Sequence, residues 1–274
     1  MEINMCDSIS GRSFSFIGVG NMAGAILRGM EGSGIPRESV CLYDTDPAKY
    51  IPFEGCRTAL SVAEAVRGSD YIFLAVKPQV ISVPLGEMKR CDLSSSVIVS
   101  IAAGVPISRI CSELGRETAC IRTMPNTPLM IGRGVTALAR NSLVSDKTFE
   151  DVKNVFAASG SVFELPESKM NAVISATSSA PAYIYLVIKA IADSAEAQGL
   201  NSDELLPYIC DMVAGSAELL KQSDKSAGEL IRMVMSPGGT TERAMKVLYE
   251  KDLAGIIDSA MKACTQRASE LSVM

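Results

Sequence analysis

The 274-residue chain contains no histidine. That absence excludes histidine-based nucleophilic triads, imidazole acids and bases, and histidine-containing metal centres. Cysteine does not fill the gap. The eight cysteines (Cys6, Cys41, Cys56, Cys91, Cys111, Cys120, Cys210 and Cys264) are scattered, with no Cys-x-x-Cys pair. No metal site is expected; buried free thiols in a reducing compartment are. No apolar run approaches the ~18 residues of a membrane span, and residues 1–13 carry no hydrophobic signal-peptide core. They read as a loose N-terminal extension of a cytoplasmic protein. A formal net charge of −5 gives no electrostatic case for nucleic acid or for a membrane surface as partner. Chemistry in such a chain falls to hydroxyls, carboxylates, lysine, backbone amides or a bound cofactor.

What is present begins with Phe14-Ser15-Phe16-Ile17-Gly18-Val19-Gly20-Asn21-Met22-Ala23. An apolar run ends in a Gly-x-Gly turn, and a helical pattern follows (Ala25, Ile26, Leu27, Met30). Glycine at 18 permits the sharp turn. Glycine at 20 lets the backbone approach a pyrophosphate resting on the helix N-terminus, and Ala23 keeps the packing close. An ordinary tight strand-to-helix turn fits the same residues. A second strand, Val40 to Tyr43, ends at Asp44, 24 residues beyond Gly20. An acid there typically takes the adenine ribose 2′-hydroxyl and repels a 2′-phosphate; a turn aspartate ahead of Asp46-Pro47 is the plainer alternative.

Strands and helices then alternate. Asp70 to Val76 and Ser96 to Ile101 read as strands buried on both faces of a parallel sheet. They end in Lys77-Pro78 and in Ala102-Ala103-Gly104. Ala119 to Arg122 leads into the rigid Met124-Pro125-Asn126-Thr127-Pro128 loop. These exits fall at the carboxyl edge of the sheet, where ligands bind. Gly134 to Ala139 and Ser161 to Leu165 complete the strands. The pattern predicts an α/β fold, a doubly wound sheet over residues 14–166. After Pro166 only helical periodicity remains, with helices expected at 167–177, 181–198, 202–222, 226–234, 240–249 and 252–271. So much apolar surface in ~110 helical residues suggests association with a second copy.

Two interruptions stand out in the helical part. At Thr177-Ser178-Ser179-Ala180-Pro181 the proline suits a first turn, so a helix should begin there with hydroxyls at its mouth. At Ser236-Pro237-Gly238-Gly239-Thr240-Thr241 a glycine turn opens a helix, making a cradle for a carboxylate or phosphate. A helix–helix corner capped by Thr240 or Thr241 is the alternative.

Together these motifs resemble pyrroline-5-carboxylate reductases. The resemblance runs from Ser13 to about Leu271 and rests on Gly18 to Met22, Ala75-Val76-Lys77-Pro78, Ser100 to Val105, Met124 to Pro128, Pro181-Ala182-Tyr183 and, most specifically, Ser236 to Thr241. It implies an N-terminal Rossmann-type domain and a C-terminal all-α dimerisation domain over 167–274. Homodimers, and decamers of five dimers, are implied as well. It implies reduction of L-1-pyrroline-5-carboxylate to L-proline, the last step of proline biosynthesis, by NADH or NADPH. By motif match, Gly18, Val19, Gly20, Asn21, Met22, Ala75, Val76, Lys77, Pro78, Ile101, Ala102 and Ala103 line the dinucleotide, with Asn126 near the nicotinamide. Ser236, Gly238, Gly239, Thr240 and Thr241 hold the substrate, bordered by Glu167. The Thr241 hydroxyl bonds the ring nitrogen. Two departures from the family pattern matter. Thr177-Ser178-Ser179-Ala180-Pro181 replaces two usual glycines, and Asp44, with no arginine nearby, shifts the cofactor expectation slightly toward NADH. Two other classes fit parts of the chain: a β-hydroxyacid-type dehydrogenase with Lys189 as catalytic lysine, and a non-catalytic dinucleotide-sensing protein.

Overall fold

The computed structural model describes Ile9 and residues 11–272. Most of the expected loose extension over residues 1–13 lies outside the described residues. The part inside them is anchored. Ile9 is buried in the core, and the Ser13 N–H and the Arg12 guanidinium donate to the two oxygens of Asp70 at 2.8 and 2.9 Å.

The sheet is built from β1 (Phe14–Ile17), β2 (Val40–Tyr43), β3 (Arg57–Thr58), β4 (Tyr71–Leu74), β5 (Val97–Ser100), β6 (Cys120–Met124), β7 (Gly134–Arg140) and β8 (Gly160–Glu164). Their spatial order is β3-β2-β1-β4-β5-β6-β7-β8, and every pairing is parallel except β6 with β7. The reversal of order beside β1 opens a crevice at the carboxyl ends of β1 and β4.

The two-residue period of each strand divides the core. On β4, Tyr71 and Phe73 face one layer of helices, α1 (Asn21–Gly32) and α5 (Asp146–Ala157). Ile72 and Leu74 face the other layer, α2 (Val62–Val66), α3 (Ser82–Met88) and α4 (Ile107–Leu114). The β1–β4 register sets Phe14 beside Tyr71 and Phe16 beside Phe73. The second pair of rings stacks at 4.4 Å between centroids. Fully burying side chains of this size contributes about 1.5–3 kcal/mol each, so the crevice rests on the most heavily buried part of the sheet.

The chain falls into two compact units. One holds the sheet, runs through Ser179, and takes up the chain again from Cys264; the other is Ala180–Ala263. The sequence boundary drawn at residue 166 follows the last strand. The packing boundary comes later because Met170 and Ile174, on α6 (Met170–Val173) and just beyond it, cluster with Met124, Ala137 and Ala139 of β6 and β7. Ala268, from the end of the last helix, joins them.

The second unit is helical: α7 (Ala180–Ala197), α8 (Ser202–Gln222), α9 (Ala227–Val234), α10 (Thr240–Glu250) and the first part of α11 (Leu253–Ser272). Its helices are specified locally. Gly199, at φ +89°, ends α7, and the Leu200 N–H donates to the Ala195 carbonyl. The Asn201 side chain caps α8, and Ser226 with Glu229 forms a capping box on α9. Against the expectation that no run approaches membrane-span length, the helical stretch Glu167–Ala197 is long and apolar enough to cross a membrane, by length and composition alone.

Candidate active site

Three strand ends meet at a cleft of about 500 Å³ in the sheet unit. The Gly18 N–H donates to the Tyr43 carbonyl at 2.8 Å, and the Ala75 N–H to the Ile17 carbonyl at 2.9 Å, so β1, β2 and β4 leave the sheet tied together. Gly18 has φ +96°, and a Cβ there would stand 2.7 Å from the Ala75 carbonyl oxygen. Conformation and close approach both require glycine. Gly20 differs: a Cβ on it would meet nothing within 4 Å. It is the N-cap of α1, it supplies no side-chain cap, and the first turn carries no acidic residue. The open N–H groups and the positive end of the helix dipole suit a pyrophosphate.

Gly18, Gly20, Asp44, Ala75, Val76 and Lys77 all line this cleft. The Val19 side chain is buried and Met22 packs against the core, so those positions offer backbone only, while Asn21 is exposed. Pro78 opens a short 3-10 turn behind Lys77. Ile101, Ala102 and Ala103 lie beyond the end of β5 and Asn126 beyond β6, farther along the same edge and off the lining of this cleft.

Asp44 has more to do than the sequence suggested. Its carboxylate accepts the Val19 N–H at 2.7 Å, the Asp46 N–H at 3.0 Å and the Lys49 ammonium at 3.1 Å. Burial acts to raise its pKa, but the two backbone donors and Lys49 outweigh burial and hold the carboxyl below its ordinary range. Asp44 is therefore both a turn aspartate and a strut that fixes the glycine turn. No arginine lines the cleft, as expected, but a second lysine besides Lys77 does. Lys49 lines the cleft with Thr45. Lys49 sits on the 3-10 segment Pro47–Phe53, and its Nζ reaches the Asp44 carboxylate. Tyr50 pins that segment, accepting the Asp44 N–H at 2.7 Å and donating to the Asp44 carbonyl at 2.9 Å.

Asn126 is buried, and its carboxamide is committed. Its Nδ2 donates to the Thr177 carbonyl at 3.1 Å and its Oδ1 accepts the Val135 N–H at 2.8 Å. It ties the β6 exit to the segment that the sequence read as a helix start. That segment is a π turn over Ile174–Ser178, in which the Ser179 N–H reaches the Ile174 carbonyl at 2.8 Å. Helical structure thus continues through Thr177. A helix does begin at Ala180, with Pro181 in its first turn as expected; of the three hydroxyls expected at its mouth, Thr177 donates back to the Val173 carbonyl and Ser179 accepts from the Cys264 thiol.

Glu167 is engaged within the sheet unit. Its Oε1 accepts the Ile107 N–H at 2.7 Å, and buried Arg122 lies 3.7 Å away.

In the helical unit, Ser236 to Thr241 forms a turn and the start of α10. The N-cap is Gly239, with no side-chain cap, so Thr240 and Thr241 lie inside the helix. The threonine-capped corner is excluded. Gly238 has φ +74°, the Gly239 N–H donates to the Ser236 carbonyl at 2.9 Å, and the Gly238 N–H is taken by Glu242 at 2.7 Å. A Cβ on Gly239 would press on the Ser236 carbonyl oxygen at 2.9 Å. Glycine here permits the turn and leaves the first N–H groups of α10 uncapped. Lys189 forms an exposed ion pair with Asp193 at 2.6 Å, which is a solvated helix pair rather than a catalytic lysine.

Comparison with known proteins covers both parts of the chain. Residues 167–271 match the family described as pyrroline-5-carboxylate reductase dimerisation, and residues 13–104 match the family described as NADP oxidoreductase, coenzyme F420-dependent. The pyrroline-5-carboxylate reductase of Escherichia coli is 35% identical over 266 residues, covering 95% of this chain and 98% of that protein. The solved structure of a pyrroline-5-carboxylate reductase from Coxiella burnetii superposes with a TM-score of 0.86 at 31% identity, covering 95% and 98% of the two chains. The structure of the Plasmodium falciparum pyrroline carboxylate reductase with NADP bound gives a TM-score of 0.89 at 26% identity, with the same coverage.

Proposed function

The chain belongs to the pyrroline-5-carboxylate reductase family, and on that premise we propose how its residues divide the work. The protein reduces the C=N bond of L-1-pyrroline-5-carboxylate, giving L-proline, at the expense of a nicotinamide dinucleotide. Its self-association runs through the helical region matched by the dimerisation family; we assign it homodimers, five of which form a decamer, in the cytoplasm.

The dinucleotide lies in the cleft of the sheet unit. The open space before Gly20 and the uncapped start of α1 fit its pyrophosphate, and Ala75, Val76 and Lys77 wall the cavity. When bound, the reduced nicotinamide supplies the hydride. Because Asp44 is already engaged and Lys49 stands beside it, the preference for NADH that Asp44 alone suggests is narrowed, and both cofactors serve.

One observation carries the substrate assignment: α10 opens on Gly239, not on a capping hydroxyl. The backbone at Gly239 and Thr240 takes the imine's carboxylate through the uncapped Thr240 N–H, while the Gly239 N–H, held by the Ser236 carbonyl, shapes the turn with Ser236 and Gly238. The Thr241 hydroxyl hydrogen-bonds the ring nitrogen. That nitrogen takes its proton from solvent, so the carbon accepts hydride without an imidazole acid. A chain lacking histidine need only orient the reactants, grip the carboxylate and hold the nitrogen. The test is 1-pyrroline, which has the imine but no carboxylate. Its kcat/KM should fall by about 100-fold, the scale of a lost charge-assisted hydrogen bond. Comparable values for the two imines would remove the carboxylate grip from this account.

A further inference from the structure

The loop joining β5 to α4, residues 101–106, is held by polar side chains that lie far apart in the sequence. At its far end, α4 begins after Pro106, which supplies no side-chain cap; Glu167 takes that part and accepts the Ile107 N–H at 2.7 Å. Arg122, buried in β6, lies 3.7 Å from the same oxygen and donates to Asn171 Oδ1 at 2.6 Å. Asn171 Nδ2 donates onward to Ser272 Oγ at 3.2 Å. Ser272 donates to the Gly104 carbonyl at 2.5 Å, at the middle of the loop. The end of α11 also presses on the loop directly. Gly104 has φ +78°, and a Cβ there would stand 2.8 Å from the Ala268 carbonyl oxygen.

The loop is thus fixed at its middle and at its end, while its first residues, Ile101 to Ala103, stand at the carboxyl edge of the sheet. Ala102 and Val105 are buried in the core and the Ile101 N–H donates to the Leu74 carbonyl at 3.1 Å, so the polar side chains add to a packed loop the bonds that set the path of its backbone. We propose that Glu167, Asn171 and Ser272 are positioning residues that fix the Ile101–Ala103 backbone for the dinucleotide, and that Glu167 acts through this loop rather than on the imine. The proposal rests on the reading that Ile101 to Ala103 line the dinucleotide.

The test uses the full-length enzyme and dinucleotide affinity, read from NADPH fluorescence without the imine, alongside the KM for the imine. Glu167→Ala, Asn171→Ala and Ser272→Ala should each weaken NADPH binding by about 3–10-fold, the scale of one lost hydrogen bond, while the imine KM stays within about twofold. Glu167→Gln, which still accepts the Ile107 N–H, should restore most of the affinity. A carboxylate needed at the imine would instead leave Glu167→Gln as impaired as Glu167→Ala, with the loss in the imine KM. Either that result or unchanged NADPH affinity in the alanine variants overturns the proposal. Ser272→Ala, at the last residue of α11 and only partly buried, keeps the test decisive if a deeper variant fails to fold. Failure of the reductase reading itself would show separately, as absent turnover in the unaltered enzyme.

Discussion

The sheet unit and the helical unit solve the burial problem in opposite ways. In the first, Phe14, Phe16, Ile17, Ile72, Phe73 and Leu74 are at most 1% exposed, and the strands carry their partners with them. In the second, Leu186 is 68%, Tyr208 69% and Leu219 59% exposed, although every helix has a well-formed start or stop. Local capping specifies helices but contributes only about 1 kcal/mol per cap; stability comes from packing an apolar face. The sheet unit completes its own core, and the helical unit, in the region that the dimerisation family matches, leaves its apolar faces open. An exposed apolar surface of that extent marks an interaction site.

The comparison breaks most visibly where the helical unit is attacked. Leu186→Asp with Leu219→Asp removes apolar burial worth about 1.5–3 kcal/mol per side chain from each of two protomers. Light scattering should then report monomers, and turnover should fall about 100-fold or more, with NADPH binding within about threefold of the parent. An intact oligomer would show that these faces are not the interface. The mirror experiment is Gly18→Ala. Its Cβ would collide with the Ala75 carbonyl in a backbone conformation that disfavours side chains, so dinucleotide affinity should fall about 100-fold by titration while the oligomer persists.

Next in size is Thr241→Ala, expected to lower kcat by about 10–100-fold, the order of a transition-state hydrogen bond. Unchanged kinetics would take Thr241 out of the mechanism. Lys49→Ala should lower kcat/KM for NADPH relative to NADH by about tenfold, the scale of one charge-assisted contact to a phosphate; an unaltered ratio would return the cofactor preference to Asp44 alone.

These residues also mark what the sequence could and could not disclose. The strand–turn–helix at Gly18, the alternating strands and the helix limits were legible because period, glycine and proline act locally. The cap of α10 was open between two readings, since glycine and threonine both suit a helix start. Lys49 and the engagement of Asp44 were hidden because they depend on Tyr50 folding the 3-10 segment back onto the strand end. The hydrogen bond of Glu167 was hidden for a related reason. Its partner, the Ile107 N–H, is 60 residues away in the chain, and no local pattern announces that pairing. The π turn was missed because serine and threonine side chains compete for helix carbonyls in ways that composition does not reveal.

The smallest expected effect refines the sheet side of the comparison. Asp44 has a folded-state pKa below its unfolded value, so its stabilisation is fully present above the unfolded pKa, near ~3.9, and is lost as pH falls through the lower folded value. Asp44→Asn should lower Tm by about 2–4 °C near neutral pH, and the gap should close below about pH 4. A gap independent of pH would mean that the charge contributes nothing.

The central claim is that this chain reduces a cyclic imine bearing a carboxylate. The direct measurement follows NADPH and NADH oxidation with L-1-pyrroline-5-carboxylate, identifies L-proline as the product, and repeats the assay with a linear 2-hydroxy acid and the oxidised dinucleotides. The account predicts oxidation matched mole for mole by L-proline and no reaction with the hydroxy acid. Turnover of the hydroxy acid, or dinucleotide binding with no reduction of the imine, would contradict it.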